Sequence, residues 1–133
     1  MKIVIIVFGL ISLILLGGCA SMNNKYKEEQ VWKYITRIGE ESSTITILKV
    51  EKNVIHIKIN DINIISKTNQ TMNKLGHAPI DVKSLDESVT EYVGMSNQEL
   101  DLSGYYEWKR AKGGVFTITV SEIVDYVQKA MNS

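Results

Sequence analysis

Three stretches in the first half of the chain alternate in side-chain character with a period of two, and that pattern restricts the fold more than any other feature. Residues 31–38 (VWKYITRI) put Trp32, Tyr34, Thr36 and Ile38 on one face and Lys33 and Arg37 on the other. Residues 43–50 (STITILKV) are dense in β-branched side chains, and residues 54–60 alternate Ile55, Ile57 and Ile59 with His56 and Lys58. Successive side chains of a strand point to opposite faces, so each stretch reads as a half-buried strand. The links between them, 39–42 and 51–53, are short and polar, which predicts an antiparallel meander. Residues 61–66 (DINIIS) either carry the third strand past a bulge or form a fourth strand.

The second half is expected to alternate helix and strand. Residues 67–74 are polar and read as a surface loop. Pro79 holds Ala78 out of the helical region, so a helix must begin beyond it. Ser84-Leu85-Asp86-Glu87 has the spacing of a capping box, and Leu85, Val89, Tyr92 and Val93 share one helical stripe, predicting a helix over 85–93 that stops at Gly94. After a polar connection over 95–103, residues 105–111 and 115–120 flank Lys112-Gly113-Gly114, a hairpin pattern. Thr119 or Ser121 can cap a final helix, with Glu122 in its first turn, Lys129 near its end, and Ile123, Val124, Val127, Ala130 and Met131 on its buried stripe. The expected class is α+β: a mainly antiparallel sheet with two helices packed on one face.

Residues 1–18 stand apart from this domain. Lys2 precedes an apolar run over 3–16 that is shorter than the roughly 20 residues needed to cross a bilayer core. A positive start, an apolar centre and small residues at the end are the anatomy of a signal peptide. Its last residues, Leu16-Gly17-Gly18-Cys19, resemble the lipobox of bacterial lipoproteins. The resemblance implies cleavage after Gly18, a diacylglyceryl thioether on Cys19, and residues 19–30 as lipidated cysteine and tether to a single domain over 31–133. It implies a membrane partner through the lipid. Without Asp after the cysteine, it also implies the periplasmic side of the outer membrane in a Gram-negative cell. A retained anchor and an ordinary secretory signal are the other readings of the segment.

Loss of residues 1–18 leaves 115 of the 133 residues, enough for one modest core. The remaining 14 basic and 15 acidic residues leave no electrostatic footprint for nucleic acid. Cys19 is the only cysteine, so no internal disulfide can form. Spacing offers no metal site and no cofactor, and no catalytic residue is assigned. His56 reads as part of a solvated strand face. His77, in a Gly-His-Ala-Pro loop, is a candidate binding residue or a loop histidine bonded to backbone. Tyr105, Tyr106 and Trp108, expected on both faces of one strand, are the candidate partner surface, since Tyr and Trp dominate interface anchors. The expected function is a membrane-anchored envelope lipoprotein with a non-catalytic protein- or peptide-binding domain, of the kind found in inhibitor and immunity proteins. An envelope assembly or structural factor, and a hydrolase centred on His77, are the alternatives.

Overall fold

A computed structural model describes residues 25–133; the signal segment, Cys19 and residues 20–24 lie outside them, whereas residues 25–30 of the expected tether belong to the fold, with Tyr26 buried in the core and Gln30 opening the first strand. The strands are β1 (Gln30–Tyr34), β2 (Thr44–Val50), β3 (Val54–Ile65), β4 (Thr71–Asp81) and β5 (Val89–Met95). The helices are α1 (Val82–Ser88), α2 (Ser103–Ala111) and α3 (Val120–Met131). The sheet runs in the order β4-β3-β2-β1-β5, with every neighbouring pair antiparallel. The fold is α+β; the predicted meander is its first three strands, and β4, not expected from the sequence, continues it.

The alternating stretches build the core. Ile45, Ile47, Ile55, Ile57, Ile59, Ile64 and Ile80 bury one face of the sheet against Leu85 of α1 and Val120, Ile123 and Val124 of α3. Each such side chain contributes about 1.5–3 kcal/mol, and β-branching limits the rotamer freedom lost on packing. Two helices thus cover one face. α3 starts as expected, with Thr119 and Glu122 forming a reciprocal capping box, although Ala130 on its expected stripe is exposed.

Several boundaries differ from the sequence reading, each for a local reason. β1 ends at Tyr34; the Ile35 N–H donates to Ser88 and Ile38 is wholly exposed, because residues 35–43 turn to place Arg37 and Glu40 under β3. β3 does continue beyond residue 60: Asp61 takes a left-handed φ of 55° and pairing with β4 slips between Asn60 and Ile64. Residues 71–74 belong to β4 instead of a loop, and so does His77, since β3 supplies a partner edge from Val54 to Ile65 that polar side chains, Gly76 and Pro79 do not prevent.

The helix expected over 85–93 is displaced. Asp81 caps α1 by accepting from the Lys83 N–H, while residues 89–95 cross to pair with β1 as β5. Val89, Tyr92 and Val93 satisfy a helical stripe, but VTEYVGM also suits a strand, and the unpaired edge of β1 decides between them. The expected hairpin over 105–120 is absent as well. Residues 103–111 form α2, and 115–120 contribute a single parallel bridge, Ile80 to Phe116. Lys112-Gly113-Gly114 is the end of that helix: Lys112 is left-handed, Gly113 N–H donates to the Trp108 carbonyl, and Trp108 Nε1 donates to the Gly114 carbonyl at 2.7 Å. A Cβ on Gly113 would stand 2.4 Å from the Trp108 ring, so glycine is required there.

A buried histidine relay as the candidate functional site

The sheet's second face carries the polar members of the alternation, and α2 crosses one end of it. Pairing between β3 and β4 slips so that Ile57 opposes Ala78 and Ile59 opposes Leu75, leaving Gly76 and His77 together opposite Lys58. The slip brings His77 to His56, whose direct partner across the ladder is Pro79. From α2, Tyr105, Trp108 and Lys109 descend on the pair at i, i+3 and i+4, the spacing that shares one helix face. Glu51 reaches it from the turn between β2 and β3.

These side chains form one connected chain of hydrogen bonds. His77 Nε2 lies 2.9 Å from His56 Nδ1, and His56 Nε2 lies 3.0 Å from Glu51 Oε1. Glu51 Oε2 accepts from the Tyr105 hydroxyl at 2.7 Å and from Lys109 Nζ at 3.4 Å. The two imidazole centres are 5.1 Å apart with planes only 12° apart. With facing nitrogens at 2.9 Å, the rings therefore lie end to end and nearly coplanar, and do not overlap face to face. Tyr105 and Trp108 close over His56 edge-to-face, at 4.7 and 4.6 Å between centres.

Chemistry then dictates the tautomers. A carboxylate only accepts, so His56 must donate from Nε2; its Nδ1 is left as an acceptor, and His77 must donate to it from Nε2. Among the described residues, His77 Nδ1 is the one ring nitrogen left without a proton or a partner. Burial pulls both histidines below their ordinary pKa. For His56, Glu51 pulls the other way and the Lys109 charge adds to the lowering. For His77, burial and the neighbouring imidazole bring the value to about 4. Burial alone would raise the Glu51 carboxyl, but hydrogen bonds from His56, Tyr105 and Lys109 hold it below its usual range. The relay is neutral on both rings and anionic at Glu51.

Three of the four proposed binding residues, His77, Tyr105 and Trp108, meet in this cluster. Tyr106 does not: it packs edge-to-face on Tyr105 and is 55 % exposed. His56 is not on a solvated face, as the alternation suggested, but fully buried, because α2 covers that end of the sheet. Glu51 and Lys109 escaped the sequence reading, since Glu51 sits in a turn and Lys109 was placed on a strand. Once residues 103–111 are helical, the i, i+4 pair Tyr105 and Lys109 is the one sequence signal that points to a shared acceptor. Among the described residues, no three His, Cys, Asp or Glu side chains are arranged to hold a metal ion.

Beyond α2 the second face opens into a groove of about 560 Å³. Thr44, Thr46, Lys58 and Asn60 make its floor, Asn73 and Lys74 one wall, and residues 94–98 the other. Asn60 Nδ2 donates to the Thr44 carbonyl and to the Thr44 and Thr46 hydroxyls, which fixes the floor. A recess of about 100 Å³ continues beneath residues 96–101 towards Leu48 and Gly76. Comparison of the chain with protein families, with curated proteins and with solved structures found no match.

Proposed function

We propose that this chain is an envelope lipoprotein in which lipid on Cys19 holds a non-catalytic domain at the membrane, where the domain binds a protein or peptide partner. The reading places it beside inhibitor and immunity lipoproteins in kind. The observation that carries the binding half is the groove on the sheet's second face, with its floor of ordered hydroxyl and amide groups. Such donors and acceptors suit main-chain and polar side-chain atoms of an extended segment. Among the described residues, no helix is long and apolar enough to cross a membrane; attachment on this reading is by lipid. A photo-crosslinking residue at Asn73 or Asn97 tests the groove in intact cells. A discrete protein adduct from both positions, absent when the probe replaces exposed Lys112, is the expected result; equal adducts from Lys112, or none from the groove, would refute it. Cys19→Ser is expected to block lipid labelling and leave the precursor uncleaved, and a mature protein of unchanged mass with unchanged membrane association would rule out the lipobox.

A further inference from the structure

Helix α2 is held to the sheet through Gly104, Tyr105 and Trp108 packed on the histidine pair and through the bonds of Tyr105 and Lys109 to Glu51. Tyr105 is its one buried residue, Gly104 and Trp108 are half-buried, and its other six residues are exposed. The contact is close: a Cβ on Gly104 would stand 2.6 Å from His77 Cβ and 3.6 Å from His77 Nδ1. The bare lone pair of His77 therefore lies against the first turn of α2. That end of a helix carries partial positive charge, which the Asp101 carboxylate offsets in part by accepting from the Ser103 N–H. A neutral imidazole fits this close contact, whereas an imidazolium loses there the hydration that steadies its charge.

We propose that the His56–His77 pair is an acid-released latch: a proton taken from solvent onto His77 Nδ1 undocks α2, and with it the connection over 96–102 that walls the groove. Every charged or titratable group around the pair fits this sense. Glu51, from the β2–β3 turn, would favour a cation, but its two oxygens are already engaged by His56, Tyr105 and Lys109. Lys109 of α2 opposes a second positive charge. Lys49 of β2 lies with its Nζ 5.8 Å from the Tyr105 ring centre, and Lys58 of β3 and Lys74 of β4 line the adjoining recess. Asp101, just before α2, is tied to the Ser103 N–H at 3.0 Å and faces those two lysines. Among the described residues, no carboxylate is hydrogen-bonded to His77.

Docked, His77 is held at about 4, while a released histidine titrates at its ordinary value of 6.5. The released state binds more protons between these values. Docking is therefore at full strength above about pH 6.5, weakens as the pH falls towards 4, and levels off below that. With allowance for the solvent that reaches His77, opening of α2 should rise by at least roughly tenfold between about pH 7.5 and pH 5. The latch does not depend on what the groove binds.

Hydrogen exchange on the full chain, corrected for the intrinsic pH dependence of the amide rate, reads this directly. Protection of residues 103–111 is expected to lie below that of β2, β3 and α3 and to fall about tenfold at pH 5, and His77→Gln, which can donate but not charge, should remove most of that fall. An α2 as well protected as the core, an α2 indifferent to acid, or a His77→Gln chain that responds like the wild type would each overturn the latch. Imidazole NMR titration of the unaltered chain supplies a second measurement: His77 should titrate well below 6, and a value at or above 6 would overturn the proposal without any variant.

Discussion

The two ends of β3 each carry a buried polar cluster, built on opposite terms. At the start, His56 joins a second neutral imidazole and the Glu51 carboxylate in hydrogen bonds that depend on where single protons sit. At the far end, where β2 has stopped, Arg37 and Glu40 close on the backbone of Asn63: Glu40 Oε2 accepts its N–H at 2.7 Å and Arg37 donates to its carbonyl at 3.2 Å. Arg37 grips both Glu40 oxygens, at 2.9 and 2.7 Å, and reaches Asp125 at 3.4 Å. Two residues on, the Gln128 amide accepts from Ile65 N–H and donates to its carbonyl. Side chains thus replace the missing strand and satisfy an edge that would otherwise invite pairing. The Arg37 end is saturated and permanently charged, so it holds its shape at any ordinary pH. The His56 end keeps one open valence and can change state.

The largest expected effect strikes the saturated end. Glu40→Ala leaves Arg37 and the Asn63 N–H without their acceptor in a site where Glu40 is 5 % exposed, and should lower unfolding free energy in urea by about 3 kcal/mol. A loss below about 1 kcal/mol would show that the cluster is not structural. At the other end, Gly104→Ala forces a methyl to within 2.6 Å of His77 Cβ, close to the β4 backbone, where no flexible side-chain end can yield. It should reduce stability by about 2 kcal/mol and loosen α2 more than the isoleucine core, as exchange rates would reveal.

Acid separates the two ends without mutation. Between about pH 7.5 and pH 5 the wild type should lose about 1–2 kcal/mol, all from the histidine end, because their depressed values mean that the unfolded chain takes up protons first. Burial raises the Glu40 carboxyl, but Arg37 and the Asn63 N–H outweigh it and leave it below the usual value of 4.5. Its contribution is present above that value and lost only as the pH drops further, so a Glu40→Ala chain should show the same loss between pH 7.5 and pH 5. Gln128→Ala, the mildest test, should cost about 0.5–1 kcal/mol and speed exchange of the Ile65 amide selectively.

Much of the fold was legible in the chain, and the reasons for the gaps are physical. Ile55, Ile57 and Ile59 announced β3 and its buried face, and Thr119 with Glu122 announced α3, because period and capping are local properties. Tyr105, Tyr106 and Trp108 misled, since aromatics favour strands when propensity alone is weighed, whereas here the helix is stabilised by Tyr105 and Trp108 closing over His56. Val89–Met95 fits either pattern, and only the free edge of β1 makes it a strand. Of the candidate site, His77, Tyr105 and Trp108 were visible as residue types with unusual potential. His56 looked solvent-facing for a sound reason, because strand alternation names two faces but does not say that α2 covers one end of the second.

The sequence by itself determined an antiparallel, isoleucine-packed sheet backed by a capped C-terminal helix, because those features arise from neighbours a few residues apart. Tertiary structure decided the chemistry. Glu51 and Tyr105 are 54 positions apart, and His56 and His77 are 21 apart. Only a slipped β3–β4 ladder and a helix laid across it bring a carboxylate, two imidazoles and a phenol into one chain of hydrogen bonds. Which protons those groups carry depends on burial and mutual distance, and both come into being when the strands and α2 close together.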